Sequence, residues 1–436
     1  MFYTGFARLD ITPSLGCPLA GASKVRYADG MLDPLELNCV AFSDGENKAV
    51  LITADFLYVM ENAATEIRGL IAKKCDIPAE HVFMQGLHQH TSLRIGCKPN
   101  LGNNGYSDKA YLEMLYRKYC DVVTLALNDL KETTLLQAEE ETAQPISFIR
   151  RYRMKDGKCK TNPTKGNPDI VGPIGQADNT VRLLRFVRKD APDIALVNFS
   201  CHPDVVSGTK ISADWPGFVR RYTEADLPDT KCILVNGAQG DSNHLNPAVL
   251  EREGGIKHAA YMGRVITDTV KKLWDKAQPM ETGKVWGKVE MKYIPTNTKG
   301  MDHLEEYIEW NKGIGNGTRE KPRDFAFACE IWRVSQLPRE TLFQKVPIAL
   351  LGIGKVAFVG FGGEPFTEYA AKAREAGEGL YVITACLTDG GQGYLPTKDA
   401  YDEGGYEASN SRFDASVGQI LQSGVAELLA EYKNVK

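Results

Sequence analysis

The sequence predicts an α/β fold in which layered, mixed β-sheets are flanked by helices. Short β-branched runs alternate with longer amphipathic stretches along the whole chain, which is typical of such folds. Hydrophobic residues make up 43% and charged residues 25% of the 436 residues. This balance can bury a sizeable core and excludes a disordered chain. The length allows one large domain or two to three smaller ones.

The individual elements follow from these periodicities and from the turn residues between them. In the first third, we expect a hairpin of strands 38–46 and 49–59, a helix at 62–75, a strand at 82–87 and a helix at 108–131. In the middle, we expect a strand at 194–200, a helix at 215–225, a strand at 231–236, a helix at 257–276 and strands at 284–293 and 325–334. In the last third, we expect strands at 342–351 and 354–361, a helix at 365–377, a strand at 380–387 and a helix at 414–432.

Composition and motif content exclude several classes of protein. The net charge is −4 and the isoelectric point is near 6.1, so the basic footprint of a nucleic-acid binder is missing. No apolar run approaches the roughly 18 residues of a membrane span. The sequence also lacks the Gly-x-Ser-x-Gly elbow of serine hydrolases and the His-Glu-x-x-His zinc motif.

Cysteine usage and the N-terminus indicate the compartment. The ten cysteines are scattered and form no Cys-x-x-Cys pair, which favours reduced thiols over a disulfide framework. The N-terminus has no basic segment followed by an apolar one, as a secretory signal would. We therefore expect a cytoplasmic protein.

Polar side chains follow five of the predicted strands. They are His88 and His90 after the strand at 82–87, His202 after 194–200, Asp241 after 231–236, Glu364 after 354–361 and Tyr394 after 380–387. Ligands of α/β proteins bind at the carboxyl ends of strands, so we expect these side chains to converge. An extended His-x-His points both rings the same way. Imidazole and carboxylate together form a ligand set that catalytic zinc accepts, and such zinc lowers the pKa of bound water towards ~7.

Several of these signals also have a purely structural interpretation. A histidine at a strand end can be a hydrogen-bonded structural residue, and the role of His244 is left open. Arg150, Arg151 and Arg153 form either a solvated hairpin edge or an anchor for a substrate carboxylate or carbonyl. The Gly- and Asn-rich segment 94–107 is either a binding loop or a long connection.

Taken together, the motifs resemble those of the catalytic domain of the neutral/alkaline, non-lysosomal ceramidase family. The likeness spreads over nearly the whole chain, and the order and spacing of the motifs are more specific than any one of them. The similar segments are the Gly-Phe-Ala-Arg-Leu-Asp-Ile-Thr-Pro run at 5–13, the turn at 16–21, His-Gln-His-Thr-Ser at 88–92, Asn-Phe-Ser-Cys-His-Pro at 198–203, Gly-Glu-Pro-Phe-Thr at 363–367, Gly-Tyr-Leu-Pro-Thr at 393–397 and the segment 401–407.

The resemblance implies a zinc site and a set of catalytic residues. The zinc ligands that it implies are His88, His202, Glu364 and Tyr394. The further catalytic residues are His90 as proton donor or oxyanion partner, and Arg150 near the place of an arginine that contacts the substrate carbonyl. The asparagine that precedes that arginine in the family is Ile149 here.

Three departures from the family pattern limit what the resemblance implies. The family's Gly-Asp-x-Ser-Pro reads Gly-Asp-Ser-Asn-His at 240–244, so a serine-dependent role is not carried over. The chain is too short for the extra C-terminal β-domain, which predicts a single ceramidase-like domain over residues 1–436. The missing secretory signal predicts that the chemistry is kept while the lipid substrate is not.

We therefore predict a zinc-dependent hydrolase that cleaves the C–N amide bond of a small polar or N-acyl substrate with metal-activated water. Tyr394 would alternate between zinc ligand and oxyanion donor, and Asp214 and Asp241 would orient the histidines. The alternatives are a zinc-dependent esterase with the same site and a non-catalytic binding protein that retains the fold. The sequence predicts no membrane span and no nucleic-acid partner, and it leaves the oligomeric state open.

Overall fold

Two β-sheets lie face to face between layers of helices. The computed structural model describes residues 1–22, 26–96, 108–251, 253–297 and 343–435. The strands along the path of the larger sheet are β1 Tyr3–Asp10, β2 Glu36–Ser43, β3 Lys48–Ala54, β4 Val82–Gly86, β5 Lys131–Glu141, β6 Thr180–Arg188, β7 Asp193–Phe199 and β8 Thr230–Asn236. Their order is β8-β7-β6-β5-β1-β2-β3-β4, and a short strand at Gln278–Pro279 pairs with β5.

The larger sheet is mixed. Its central pairs are antiparallel, whereas β7 with β8 and β3 with β4 are parallel. The sheet also curls, because β8 contacts β2 and β3 from the opposite end of the strand order. This curl brings the two edges of the sheet near each other.

The smaller sheet has four strands in the order β9-β10-β11-β12. They are β9 Val285–Pro295, β10 Phe343–Ile353, β11 Val356–Phe361 and β12 Tyr381–Cys386. The last pair, β11 with β12, is parallel and the others are antiparallel. The parallel pair places the carboxyl ends of β11 and β12 side by side.

Both sheets are buried on both faces, because neighbouring residues on a strand point in opposite directions. Leu51 of the larger sheet and Phe358 of the smaller sheet both lie in the core between the two sheets. Ile52, the next residue in β3, packs against helices on the outer face of the larger sheet. Val359, the next residue in β11, packs against helices on the outer face of the smaller sheet. The layers are therefore helices, sheet, sheet, helices, and the predicted α/β class with layered mixed sheets is confirmed.

The helices cover the outer faces of the two sheets. They are α1 Glu61–Cys75, α2 Lys109–Asn128, α3 Asp214–Asp226, α4 Gly255–Trp274, α5 Thr367–Ala376, α6 Lys398–Glu403, α7 Tyr406–Ser409 and α8 Val417–Lys433, with a 3₁₀ turn at Ala79–His81. None of the helices in the described ranges is long and apolar enough to span a membrane.

Most sequence-predicted elements agree with the structure within a few residues, but three long strands, β1, β5 and β6, were not among them. The predicted helix at 108–131 ends at Asn128, and β5 follows at Lys131–Glu141 and pairs with β6. The predicted strand at 325–334 and most of the segment 94–107 lie outside the described residues. The single domain over 1–436 and the cytoplasmic location stay predictions.

Candidate metal centre

A buried glutamine draws three strand ends together. The side-chain amide nitrogen of Gln85, in β4, donates to the carbonyl oxygens of Asn236 in β8 and Cys386 in β12, each at 2.6 Å. Gln85 is fully buried, so these bonds replace water that the amide group would otherwise need. The residues that follow β4, β8 and β12 are consequently held near one another, as the prediction of convergent strand ends requires.

The three histidines that follow β4 and β7 are oriented by backbone carbonyls. Nδ1 of His88 bonds to the carbonyl oxygen of Leu57 at 3.0 Å, and Nδ1 of His90 bonds to that of Gly21 at 2.8 Å. Nδ1 of His202 lies 3.3 Å from the carbonyl oxygen of Gln239. A carbonyl can only accept, so each Nδ1 carries the proton and each Nε2 keeps its lone pair.

The free Nε2 atoms converge on Glu364. Nε2 of His88 lies 3.2 Å from Nε2 of His202. The carboxylate Oε2 of Glu364 lies 3.4 Å from the first and 3.8 Å from the second. Ligands of a tetrahedral zinc ion are separated by about 3.4 Å, given bonds of about 2.0–2.1 Å. These three side chains therefore have the spacing of ligands around one ion.

Two buried atoms at this point also lack a hydrogen-bond partner among the described residues. They are Nε2 of His90 and Oε2 of Glu364. The ligand atoms of His88, His90 and His202 all lie within 4.8 Å of one another. Buried polar atoms are normally satisfied, and a bound cation would satisfy these. The donor set of imidazole nitrogens and a carboxylate oxygen suits zinc.

The protonation states are those that bind a metal. Burial, with the charge of His88, lowers the pKa of His90 to about 4. Burial, with Arg150 and His88, lowers the pKa of His202 well below its usual range. Burial raises the pKa of Glu364, but His88, His202 and Arg150 outweigh it and bring the pKa to about 2. His90 and His202 are therefore neutral, and Glu364 is ionised, at neutral pH.

The predicted fourth ligand, Tyr394, is the cross-strand neighbour of Glu364. The short strands Glu364–Pro365 and Tyr394–Leu395 pair in parallel, with Glu364 opposite Tyr394. The guanidinium of Arg150 lies 5.1 Å from the centre of the Tyr394 ring. The ring of Tyr406 meets that of Tyr394 edge to face at 5.6 Å. Tyr394 and Arg150 are thus brought to the site, and zinc ligation by Tyr394 stays a prediction.

Two glycines permit close approaches that any side chain would block. Gly21 has φ +81°, and a Cβ there would lie 2.5 Å from the ring of His90. A Cβ on Gly240 would lie 2.2 Å from the carbonyl oxygen of Glu364. Glycine is therefore required at both positions to hold the ligand-bearing segments in place.

Comparisons with known proteins identify the fold. No protein-family model matches the sequence, and no curated protein matches it. A neutral ceramidase from Pseudomonas aeruginosa matches 99% of this chain and 74% of its own, with a TM-score of 0.75 and 14% identity. A ceramidase complexed with C2 matches 99% of this chain and 75% of its own, with a TM-score of 0.75 and 15% identity. The chain has a ceramidase-like fold. The histidine centre described above lies within this ceramidase-like architecture.

The arginine cluster at 150–153 is fully ion-paired within this fold. Nε of Arg150 lies 2.7 Å from a carboxylate oxygen of the fully buried Glu407. Arg151 and Arg153 both pair with Glu403, at 3.1 and 2.8 Å. Nη2 of Arg150 also donates to the carbonyl oxygen of Gly240 at 2.8 Å. Each of the three arginines therefore has a carboxylate partner, with two glutamates shared among them. A role of Arg150 at a substrate carboxylate or carbonyl stays a prediction.

Asp241 and Asp214 do not orient the histidines. The carboxylate of Asp241 accepts from the backbone nitrogen and the hydroxyl of Thr367, at 2.8 and 3.2 Å. Asp241 lines a cavity of about 530 Å³ that none of the three histidines lines. The carboxylate of Asp214 accepts from backbone nitrogens of Val206 and Trp215. Neither carboxylate bonds to the three rings, which backbone carbonyls hold instead, and the catalytic role predicted for Asp241 stays a prediction.

Sequence reasoning missed an ion pair beside the site, between His244 and Asp204. Nδ1 of His244 lies 3.2 Å from a carboxylate oxygen of Asp204, two residues after His202. Burial lowers the pKa of His244, but the hydrogen bond and charge of Asp204 outweigh it and raise the pKa above its usual value. The only sequence feature that could have indicated this pair is the Pro-Asp dipeptide after His202, which matches no known motif. Tyr406 and Glu407, within the segment 401–407, were also not singled out.

The His244–Asp204 pair predicts a pH-dependent contribution to stability. Because folding raises the pKa of His244, its contribution is complete below pH about 6.5 and is lost as the pH rises through the folded-state pKa. In metal-depleted protein, His244→Gln should lower the free energy of unfolding by about 2 kcal/mol at pH 6, and by less at pH 9. Urea unfolding at both pH values measures this.

His81 provides the control for that measurement. Its ring bonds to the carbonyl oxygen of Lys48 instead of a carboxylate, so His81→Gln should show no such difference between pH 6 and pH 9. An equal loss for His244→Gln at the two pH values would contradict the prediction.

Proposed function

We propose that the protein is a zinc-dependent hydrolase that cleaves the C–N amide bond of a small polar or N-acyl substrate. The observation that carries this proposal is the spacing of three ligand atoms. Nε2 of His88, Nε2 of His202 and Oε2 of Glu364 are 3.2–3.8 Å apart, and each imidazole presents its lone pair. The ceramidase-like fold supports an amide substrate by analogy.

The residues of this chain that would hold the ion are His88, His202, Glu364 and Tyr394. When bound, zinc would lower the pKa of a water molecule and polarise the scissile carbonyl. Structural zinc sites favour cysteine ligands and closed coordination, and none of these four residues is a cysteine. This ligand chemistry favours a catalytic over a structural ion.

The chain supplies a proton acceptor beside these residues. His90 has a pKa of about 4, so its Nε2 is unprotonated at neutral pH and faces the other two rings. The Gly21 carbonyl fixes the ring through Nδ1. His90 would accept a proton from the attacking water and deliver it to the leaving nitrogen. Arg150, fixed by Glu407, would hold the Tyr394 phenol in place.

Metal content and turnover of wild type and His202→Ala test the proposal. We expect about one zinc per wild-type chain and loss of both zinc and amide hydrolysis in His202→Ala, because one ligand is removed. Elemental mass spectrometry measures the metal. His81→Ala, which changes a histidine outside the site, should keep both. The proposal would be contradicted if the wild-type protein held no zinc after zinc had been added and the excess removed.

Matched amide and ester substrates separate the remaining alternatives. Hydrolysis of the ester without hydrolysis of the matched amide would favour the zinc-dependent esterase. Bound zinc without hydrolysis of either would favour a non-catalytic binding protein that keeps the fold.

A further inference from the structure

Arg94 differs from Arg150 and Arg26 because, within the described ranges, it has neither a carboxylate partner nor a hydrogen-bond acceptor. Among the described residues, no carboxylate lies within ion-pair distance of Arg94, and its buried Nε has no hydrogen-bond acceptor. Buried arginines elsewhere face carboxylates: Arg68 pairs with Asp389 and Arg220 with Asp55. A half-buried guanidinium without an acceptor loses hydration that nothing in the described protein replaces.

The other two arginines near the histidines are already committed. Arg150 is neutralised by Glu407. Arg26 donates through its terminal nitrogens to three backbone carbonyls, those of Ala20, His90 and Gly208, and only its Nε lacks an acceptor among the described residues. An anionic group that entered the site could therefore accept hydrogen bonds from the N–H groups of Arg94, whereas several N–H groups of Arg26 and Arg150 already have acceptors.

The position of Arg94 connects it to the metal-binding residues. Its short strand, Arg94–Ile95, pairs in parallel with Tyr58–Val59, and its guanidinium lies 5.9 Å from the centre of the Tyr58 ring. Tyr58 follows Leu57, whose carbonyl fixes His88. A Cβ on Gly391 would lie 2.5 Å from the Tyr58 ring, so this ring packs on the loop that leads to Tyr394.

The guanidinium of Arg94 is also held in an orientation that suits recognition of an anion. The aromatic face of Tyr58 restrains the planar group through a cation–π contact. An arginine presents parallel N–H groups that match the two oxygens of a carboxylate. Because the arginine is already partly desolvated and oriented, such a bond would require little further ordering.

We propose that Arg94 binds an anionic oxyacid group of the substrate, a carboxylate in the simplest case, so that the enzyme acts on anionic amides. This inference rests on the proposed amide hydrolase function and specifies its substrate class. Hydrolysis breaks the C–N bond, adds the hydroxyl of water to the acyl carbon and leaves the proton on the amine, while the anionic group stays unchanged.

Paired ligands that differ only in charge test the proposal. The first pair is N-hexanoylglycine and N-hexanoylglycinamide, with the charge on the amine side. The second is succinamic acid and succinamide, with the charge on the acyl side. Binding to zinc-loaded wild type, Arg94→Met and Arg94→Lys is measured by calorimetry, and hydrolysis of the same compounds is measured separately.

We expect wild type to bind at least one acid more tightly than its matched amide. Arg94→Met should reduce the acid-to-amide affinity ratio by about 10- to 100-fold, because a charge-assisted hydrogen bond is lost. Arg94→Lys should retain part of the ratio. Arg117→Met, which removes an exposed arginine from α2, should keep the wild-type ratio. The pair with the larger ratio identifies the side on which the anion lies.

The binding and hydrolysis readouts separate the two proposals. If the acids bind through Arg94 and nothing is hydrolysed, the anion site stands and the hydrolase proposal fails. If wild type binds none of the compounds, or binds acids and amides equally, the Arg94 proposal is overturned whatever the hydrolysis. An equal loss for acid and amide in Arg94→Met, with altered thermal unfolding, would assign Arg94 a structural role and also overturn it.

Discussion

Glu364→Gln should lower the zinc affinity by at least about 100-fold and remove amide hydrolysis with it. Residues that only support a metal ligand already cost 10- to 100-fold when replaced, and Glu364 would be a ligand itself. Its Oε2 is buried, lies 3.4 Å from Nε2 of His88 and has no hydrogen-bond partner in the part of the chain that the structure describes. Glutamine keeps the shape but removes the charge that balances a divalent ion.

Competition with a chromophoric chelator measures that affinity. Glu368→Gln provides the matched control, because Glu368 lies exposed on α5 four residues further along the chain and pairs with Lys372. The control should keep the wild-type affinity. If Glu364→Gln bound zinc as tightly as wild type, Glu364 would not be a ligand and the proposed site would have to be rebuilt around the three histidines.

The sequence predicted the centre because its residues directly follow short, apolar strands. β4 and β7 consist largely of buried side chains, so the histidine that follows each of them stands out, although Gln85 and Asn198 lie within the strands. His88, His202 and Glu364 come from three different strands, and the structure brings them within 3.8 Å. A run of buried apolar residues followed by a histidine or carboxylate is a signal that single-sequence reasoning can detect.

The reason for the convergence could not be derived from the same pattern. The strand order places β4 and β8 at opposite edges of the larger sheet, and their ends meet because the sheet curls and Gln85 bonds to Asn236. Curl depends on the summed twist of many strands. It leaves no local mark in the sequence, and neither does a bond between residues far apart in the chain.

The features that the sequence analysis missed also have physical explanations. In β5, the run Lys131–Glu141 has many charged residues and a partly exposed burial pattern, so its period of two is weak. The histidines are oriented by the carbonyls of Leu57, Gly21 and Gln239. Every residue has a carbonyl, so sequence alone favoured side chains such as Asp241, which instead bonds to Thr367.

Arg220→Met should lower the free energy of unfolding by about 3–5 kcal/mol, because it leaves a buried charge unpaired. Arg220, in α3, is fully buried and donates to Asp55 at 2.5 Å and to Glu36 at 2.8 Å. Asp55 is fully buried too and cannot be rehydrated without opening the core. Arg264→Met, which removes an arginine that pairs with Asp226 and is 40% exposed, should cost about 0–1 kcal/mol.

The pH dependence of this loss distinguishes an unpaired charge from lost packing. Burial raises the pKa of Asp55 to about 6 even though Arg220 opposes it. Without Arg220 the pKa should rise further, so Asp55 would take up a proton and its unpaired charge would vanish as the pH falls. The loss for Arg220→Met should therefore be smaller at pH 5 than at pH 8 in urea unfolding. A loss that is equal at both pH values would indicate packing alone.

The same pair connects the core to the metal centre through Gln89, the residue between His88 and His90. The side-chain nitrogen of Gln89 donates to Asp55 at 2.7 Å. The predicted extended His-x-His is wrong, because His88 has φ +79°. Gln89 nevertheless lies between the two histidines in the chain, so this bond holds the backbone that carries both. Arg220→Met should consequently weaken zinc binding as well as stability. Adding Asp55→Asn removes the unpaired charge and should restore part of the stability, whereas a further loss would contradict the charge argument.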